Sequence, residues 1–342
     1  MPGGGHLRVL KCGPGTTLQD RGRFGYLRFG VTQAGPMDWS AWRTANLALG
    51  NDKSAAAIEI PASGLEVICE VKPFWVAYAG GAFIWRHDGT ELPKAARIKL
   101  EPGSRLAARA GHFGSFAYLA IRSGFDAPLV MGSRSTHLRS GLGGRMLKEG
   151  DCFTPLVSFS ASEERHFAAR IDAPWLACNL APIRVVPGPQ DDYFAPETLA
   201  SFYIADFTLT PRADRMAYQF DGPEISHAKG HDIVSDGVAL GAIQIPGDKK
   251  PLVLMADRQP TGGYPKIGHV ARADIGRLAQ IRPAETCRFR PVSAAEARQA
   301  LLVLEDNIAT TGQHLQPLGS PLTSERLLSV NLIDGVFNPL KK

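Results

Sequence analysis

Short apolar runs, each closed by glycine, proline or aspartate, constrain this chain more than any other feature. Leu65 to Val71, Phe74 to Ala79, Arg97 to Leu100 and Phe116 to Ile121 are rich in valine, isoleucine, phenylalanine and tyrosine. Strands of this kind at close intervals fold as a barrel or a sandwich. The 36 glycines and 25 prolines supply the turns, because glycine admits positive φ and proline pre-sets a turn dihedral. Glu101-Pro-Gly103 and Lys148-Glu-Gly-Asp151 read as hairpin turns. One helix stands out among the strands. Asp38 or Ser40 can cap it, Ala41, Ala45 and Leu49 share a face with Trp42 beside them, and Gly50 can close it.

Residues 158–181 read as a connector, mixed in charge and without a sustained period. A second strand-rich block opens at Ile183-Arg-Val-Val-Pro-Gly188 and continues through Phe207 to Leu209, Ala239 to Ile245, Leu252 to Ala256 and Cys287 to Val292. A helix is expected near Pro196 to Phe202, with proline suited to its first turn. The expected fold class is mainly β with a few helices, in two barrel units. Residues 1–180 form the first with an N-terminal loop and helix, residues 181–300 the second, and residues 301–342 a C-terminal extension. That extension starts helix-like and then turns polar from Asn307 to Ser324, where partial mobility is expected.

At 342 residues, two domains are the natural expectation. A hydrophobic share of 44 % with 21 % charged residues is that of a globular protein with a core. The net charge of +5 is spread without a basic block, which argues against nucleic acid as a partner. Cys12, Cys69, Cys152, Cys178 and Cys287 never form a CxxC pair, so a disulfide framework or zinc–thiolate site is not expected and a reducing compartment is. The N-terminal residues lack an apolar signal segment, and the run from Phe74 to Trp85 is too short to span a bilayer. A cytoplasmic location without membrane attachment is the resulting expectation.

Four polar, glycine-rich runs carry the candidate chemistry. The densest is Met255-Ala-Asp-Arg-Gln-Pro-Thr-Gly-Gly-Tyr-Pro-Lys-Ile-Gly268, which follows the apolar run Pro251 to Ala256. Functional side chains on a glycine turn at the end of a core strand are a common way to build a site, although a surface hairpin would use the same residues. The other runs are Thr16 to Tyr26, Met131 to Arg139 with Gly141 to Arg145, and Asp214-Arg-Met216 with Ser235-Asp-Gly-Val238, Gly241 and Ile243 to Gly247. Arg134, Arg139 and Arg145 have the charge to hold a carboxylate, carbonate or phosphate, or they tie loops together. Neither GxGxxG nor a P-loop occurs. His227 and His231 have helical metal-ligand spacing, but Gly230 intervenes and the HExxH glutamate is missing, so a hydrogen-bonded or surface pair is the better reading. His137 and His269 are possible proton carriers. Ser133 and Ser135 lack a nucleophile elbow.

Taken in order, the motifs resemble one family. They are Thr17-Leu-Gln-Asp-Arg-Gly-Arg-Phe-Gly-Tyr26, Gly35-Pro-Met-Asp38, Ala45-Asn46 with Gly50-Asn51, Gly132-Ser-Arg-Ser-Thr136, Val186-Pro-Gly-Pro-Gln190, Asp214-Arg-Met216, Ile243-Gln244 and Asp257-Arg-Gln-Pro-Thr-Gly-Gly-Tyr-Pro265. The chain is similar here to the biotin-dependent carboxyltransferase-like proteins, also called allophanate hydrolase subunit 2 or KipA-like, a family that includes the C subunit of 5-oxoprolinase. The resemblance implies two cyclophilin-like β-barrel units. It also implies partners: a KipI-like subunit 1 (the B subunit of 5-oxoprolinase) and an A subunit.

The leading function implied is that of a subunit of an ATP-dependent 5-oxoprolinase, opening pyroglutamate to glutamate, with ATP used at the level of the complex. A carboxyltransferase component is the alternative, moving CO₂ from carboxybiotin to urea or a similar amide. The chain has no Met-Lys-Met acceptor, so biotin would arrive on another protein. A third reading is a non-catalytic KipA-like regulatory protein, whose polar loops need not converge. Both enzyme readings need a stabilised oxyanion or carboxyl group and a group that handles an N–H proton. On the matching motifs, Asp257 is the expected proton acceptor or orienting group and Arg258 and Lys266 the electrostatic stabilisers. Gln244 and Tyr264 are the expected hydrogen-bonding positioners of a small amide substrate, with Arg134 and Asp20 as further candidates. No metal is expected. The chain departs from the family at Pro260, where threonine is usual, at Lys249-Lys250, where a Gly-Gln pair is usual, and within Arg139 to Arg145. Proline removes an N–H and a hydroxyl there, which bears on substrate identity more than on fold.

Overall fold

The computed structural model describes residues 5–157, 166–177 and 181–318. It is mainly β with four α-helices: α1 (Trp39–Ala48), α2 (Pro196–Ile204), α3 (Ile275–Ala279) and α4 (Ala294–Ala309).

The first part of the chain builds two antiparallel sheets that share one core. One has the strand order Cys152–Phe153, His6–Cys12, Leu65–Glu70, Arg105–Arg109, Ile84–His87, Thr90–Leu92. The other runs Thr17–Gln19, Ala57–Pro61, Phe116–Ile121, Phe74–Ala79, Ala96–Leu100, Ala169–Ile171, Leu315–Pro317. Strand alternation explains the layers. Leu65, Val67 and Cys69 point into the core while their neighbours are half-buried. Phe74–Ala79 is buried on both faces. Phe74, Val76 and Tyr78 enter the shared core, and Trp75, Ala77 and Ala79 meet α1. The small residues on both sides, with Ala41, Ala45 and Ala48 on the helix, let it lie close to the sheet. Asp38 caps α1 by accepting from the Ser40 and Ala41 N–H groups, a contribution of about 1 kcal/mol.

The second part is one eight-stranded sheet in the order Thr286–Cys287, Phe207–Ala213, Ala217–Asp221, Leu252–Leu254, Ala242–Gln244, Lys266–Val270, Ile183–Pro187, Phe289–Pro291. Its two edge strands flank Arg288 in the chain, so the sheet curls into a nearly closed barrel. Phe202, Phe207, Phe220 and Phe289 pack inside, with the Phe202 and Phe289 rings stacked at 5.1 Å. Met37, from the loop before α1, is fully buried in this second core. The motif Gly35-Pro-Met-Asp38 is therefore a plug that seats one part of the molecule in the other.

Several sequence expectations change. Glu101 to Gly103 is a turn, with the Ser104 N–H donating to the Glu101 carbonyl, but it joins strands of different sheets and closes no hairpin. Lys148 to Asp151 likewise leads from a loop into Cys152–Phe153, which pairs with His6–Cys12. The expected connector holds the strand Ala169–Ile171, which pairs with Ala96–Leu100; residues 158–165 and 178–180 lie outside the described residues. The helix expected after Ala300 starts at Ala294, behind a Ser293–Glu296 capping box. The polar stretch that follows holds a strand, Leu315–Pro317, paired to Ala169–Ile171; residues 319–342 lie outside the described residues. No helix among the described residues is long and apolar enough to cross a membrane.

Candidate active site

Glu59 is a lone carboxylate in the middle of an apolar strand and is fully buried. A buried charge needs an opposite charge and hydrogen bonds, and the second part of the chain supplies them. Arg215 binds Glu59 through Nη1, and through Nε and Nη2 it grips both oxygens of Asp257, each at 2.9 Å. Nη2 also donates to the Gly35 carbonyl at 2.7 Å. The other Glu59 oxygen accepts from the Tyr118 hydroxyl at 2.7 Å and the Met37 N–H at 2.8 Å. Burial, then the Glu59 and Asp38 charges, hold the Tyr118 hydroxyl well above its usual pKa, so it stays a donor. Burial pulls the Arg215 pKa down, but the Asp257 and Glu59 charges outweigh it and the net shift is upward. The line continues to Asp38, whose N–H donates to the Tyr118 hydroxyl oxygen at 2.8 Å and whose Oδ2 accepts from Gln280 at 2.8 Å.

Asp257 is therefore held at both oxygens by Arg215. The next residue, Arg258, is 3 % exposed and has no carboxylate partner within ion-pair distance among the described residues. Its Nε donates to the Val238 carbonyl and its Nη2 to the Gln33 side chain, both at 3.1 Å. Burial, and then the charge of Arg272, lower its pKa to about 10. A cation in this state is primed to meet a developing negative charge.

Lys266, Gln244 and Tyr264 come together on the barrel wall. Gln244 and Lys266 are directly opposed on neighbouring strands. The Lys266 ammonium is 2 % exposed and donates to Asp236 Oδ2 at 2.7 Å. Its backbone N–H donates to the Gln190 side chain at 3.2 Å. Gln244 is fully buried; its Nε2 lies 3.5 Å from the Tyr264 carbonyl, and its Oε1 meets no donor among the described residues. Asp236–Gly237 and Thr261–Gly262 form a two-stranded ribbon over this pair. Gly262 lies tight against Gln244: a Cβ there would stand 2.5 Å from Gln244 Nε2 and push that amide aside. The same Cβ would meet Val238 at 3.1 Å, and the Val238 carbonyl holds Arg258. Asp257, Arg258, Gln244, Tyr264 and Lys266 thus form one continuous patch. The Tyr264 ring stays 38 % exposed at its edge.

The two further candidates are placed differently. Asp20 accepts from the Gly22 N–H, the Ser133 and Ser135 hydroxyls and the Arg134 N–H at 2.6–2.8 Å. It staples the two glycine-rich loops of the first part. Arg134 turns away, donating to the Ala127 carbonyl at 3.0 Å. Arg139 pairs with Asp214 and Arg145 with Asp151, so none of these three arginines gathers around an anion. Arg23, 1 % exposed, closes the loop cage by binding the Ser135 and Val130 carbonyls. His227 lies outside any helix and reaches the Ile245 carbonyl at 2.9 Å, while His231 pairs with Asp232. A cleft of about 390 Å³ lined by Asp38, Ser40, Gln280 and Ile281 includes none of the seven candidates.

Sequence reasoning passed over Glu59, Tyr118, Arg215, Gln190 and Asp236 as site residues. Glu59 carried a legible signal, a single charge inside Ala57-Ile-Glu-Ile-Pro61. Arg215, Gln190 and Asp236 carried none beyond their place in a motif or polar run, and Tyr118 none beyond its strand.

Comparison with known proteins sets this geometry in context. The family model described as "Carboxyltransferase domain, subdomain A and B" matches residues 29–291. The chain is 34 % identical to the C subunit of the 5-oxoprolinase of Escherichia coli (strain K12), over 86 % of this chain and 94 % of that protein. It is 31 % identical to the urea amidolyase of Saccharomyces cerevisiae, over 85 % of this chain but 17 % of that protein. The crystal structure of the K. lactis urea amidolyase superposes with a TM-score of 0.82 at 26 % identity, covering 93 % of this chain and 21 % of that one.

Proposed function

Since this chain belongs to the carboxyltransferase domain family, subdomains A and B, we propose that it works as the C subunit of a 5-oxoprolinase, acting on the cyclic amide 5-oxoproline. The observation that carries this reading is two-sided coverage. The match to the 5-oxoprolinase C subunit spans nearly the whole of both proteins, whereas the urea amidolyases extend far beyond the part that matches. A protein of that kind works with other subunits. Lactam opening to glutamate, coupled to ATP hydrolysis, is therefore assigned to a complex with a KipI-like subunit 1 protein and an A subunit, in the cytoplasm.

The patch suits such chemistry. Opening a lactam develops negative charge on the carbonyl oxygen, and the nitrogen must end with an added proton. Arg258 and Lys266 supply positive charge with little solvent screening. Asp257, locked to Arg215, holds the loop that carries Arg258, and Gln244 offers an amide group to position the substrate. A carboxyltransferase role, with carboxybiotin carried on another protein, is the second reading, favoured by the likeness to urea amidolyase. Reconstitution with the partner subunits decides between them. Glutamate release from 5-oxoproline with ATP is expected. Its failure with all partners present, together with biotin-dependent carboxylation of an amide, would overturn the leading reading in favour of the second.

A further inference from the structure

Two hollows along the seam of the β regions meet end to end. One is the cleft of about 390 Å³ described above, and the other holds about 520 Å³; Phe113, Leu176 and Ala177 line both. Both open to solvent, since Ala177, Ala284 and Thr286 on the first and Lys94, His112 and Arg170 on the second are exposed.

The two halves differ in character. Phe113, Trp175, Leu176, Ile183 and Ile281 wall the first. Its charged side chains already have partners inside the protein. Asp38 accepts from Ser40, Ala41 and Gln280. Arg277 pairs with Asp274 at 3.1 Å, Arg288 pairs with Asp206, and Glu285 takes the Arg282 N–H at 2.9 Å. What remains on offer is apolar surface, which favours an uncharged ring. An apolar cavity of about 150 Å³ takes one benzene ring, so this cleft has room for a fused pair.

In the second half, Lys94 and Arg170 make no ion pair among the described residues, and a single carboxylate, Asp172, stands with them. The two cations are near each other, because Arg170 pairs with Ala96, two residues along from Lys94. Gly80, Gly81 and Ala95 line the same hollow and put no bulk in front of them. Two cations against one carboxylate attract an anion, and a carboxylate or phosphate suits them.

We propose that the joined hollows bind an aromatic anion: the ring lies in the cleft against Phe113 and Trp175, and its carboxylate or phosphate reaches Lys94 and Arg170. The site shares no residue with the patch around Asp257 and does not depend on the lactam reading. A crevice left only by the packing of two regions makes a different forecast, because it would take up an apolar dye without regard to charge.

The test is fluorescence titration of the full chain with two dyes. They are anilinonaphthalene sulfonate and phenylnaphthylamine, which has the same rings and no sulfonate. One saturable site is expected for each. Lys94→Gln combined with Arg170→Gln should weaken the sulfonate dye about tenfold, the scale of two exposed charge contacts, and leave the neutral dye unchanged. Added salt should likewise weaken only the sulfonate dye. Thr286→Trp, at an exposed position on the cleft wall, should abolish binding of both; Ala177→Trp, at the junction, gives the same result should the first variant not fold. Competition separates two sources of such a ligand: displacement of the sulfonate dye by adenosine monophosphate assigns a nucleotide, and displacement by indoleacetate an aromatic carboxylic acid. No binding of either dye, equal loss of both in the charge variant, no loss of either, binding that survives the filled cleft, or displacement by neither competitor overturns the proposal.

Discussion

The two β regions handle their buried charges differently. In the first, the buried carboxylates are saturated: Asp20 accepts four hydrogen bonds and both Glu59 oxygens are engaged, while Gln19 Oε1 and Arg23 Nη1 meet no hydrogen-bond partner among the described residues. In the second, among the described residues, Arg258 has no carboxylate partner, Lys266 leans on an exposed one, and Gln244 has an idle oxygen. Saturated groups stabilise a shape, and unsaturated ones are available to a ligand. On the proposed function, the carboxylates of the first region would be the buttress and the second region the working surface, with Arg215 as the join.

The largest way to break that division is Arg215→Met, which leaves Glu59 and Asp257 as buried carboxylates without their cation. Stability should fall by about 3–5 kcal/mol, read by urea unfolding; a loss below about 1 kcal/mol would mean that the network does not hold the two regions together. Lys266→Met should instead cost function, lowering kcat of the reconstituted complex by about 100- to 1,000-fold, with far-UV circular dichroism unchanged. Near-normal turnover would remove Lys266 from the working surface. Asp20→Ala should show the converse pattern: about 2–3 kcal/mol of stability lost with kcat of the surviving folded enzyme within a fewfold of wild type. A collapse of kcat at full occupancy of the folded state would make Asp20 more than a staple.

Acid should probe the buttressing within the second barrel. Burial raises the pKa of Asp274, but the hydrogen bonds from Arg184 and the Arg277 charge outweigh it, and the net shift is downward. A depressed folded pKa adds stability that is fully present above the unfolded value of about 4 and is lost as pH falls through the lowered folded value. The melting temperature should drop over that acid range, and Asp274→Asn should flatten the drop; an identical acid profile in the variant would contradict it. The smallest effect belongs to Arg145→Ala, where a 59 % exposed guanidinium pairs with Asp151. A change of at most about 1 kcal/mol is expected, and a larger one would show that this loop bears on the buttress after all.

Much of the fold was legible. The strands Phe74–Ala79 and Phe116–Ile121 match their apolar runs residue for residue, and α1 matches its cap and alanine face. Both turns read as hairpins failed for one reason: a glycine turn reports a reversal of direction, and which strands then pair depends on the sheet each one joins. Leu315–Pro317 was hidden because its pairing partner, Ala169–Ile171, lies far away in sequence. Of the candidate residues, Asp257, Arg258, Gln244, Tyr264 and Lys266 come from one glycine-rich run and one strand that the structure brings together. Asp20 and Arg134 were equally polar on paper, and only the structure shows that Asp20 is saturated and that Arg134 turns to a carbonyl.

By itself the sequence determined the strand-rich class, the first helix and the motifs that place the chain in its family, because alternation, capping and turn chemistry act over a few residues. The tertiary structure alone decided that Glu59 meets Arg215 and that Met37 fills the other core. It also decided that Asp236 covers Lys266 while Gln244 keeps an open acceptor. Those are contacts between residues remote in the chain. Burial sets whether such a charge is screened, paired or waiting, and burial is a property of the packed molecule.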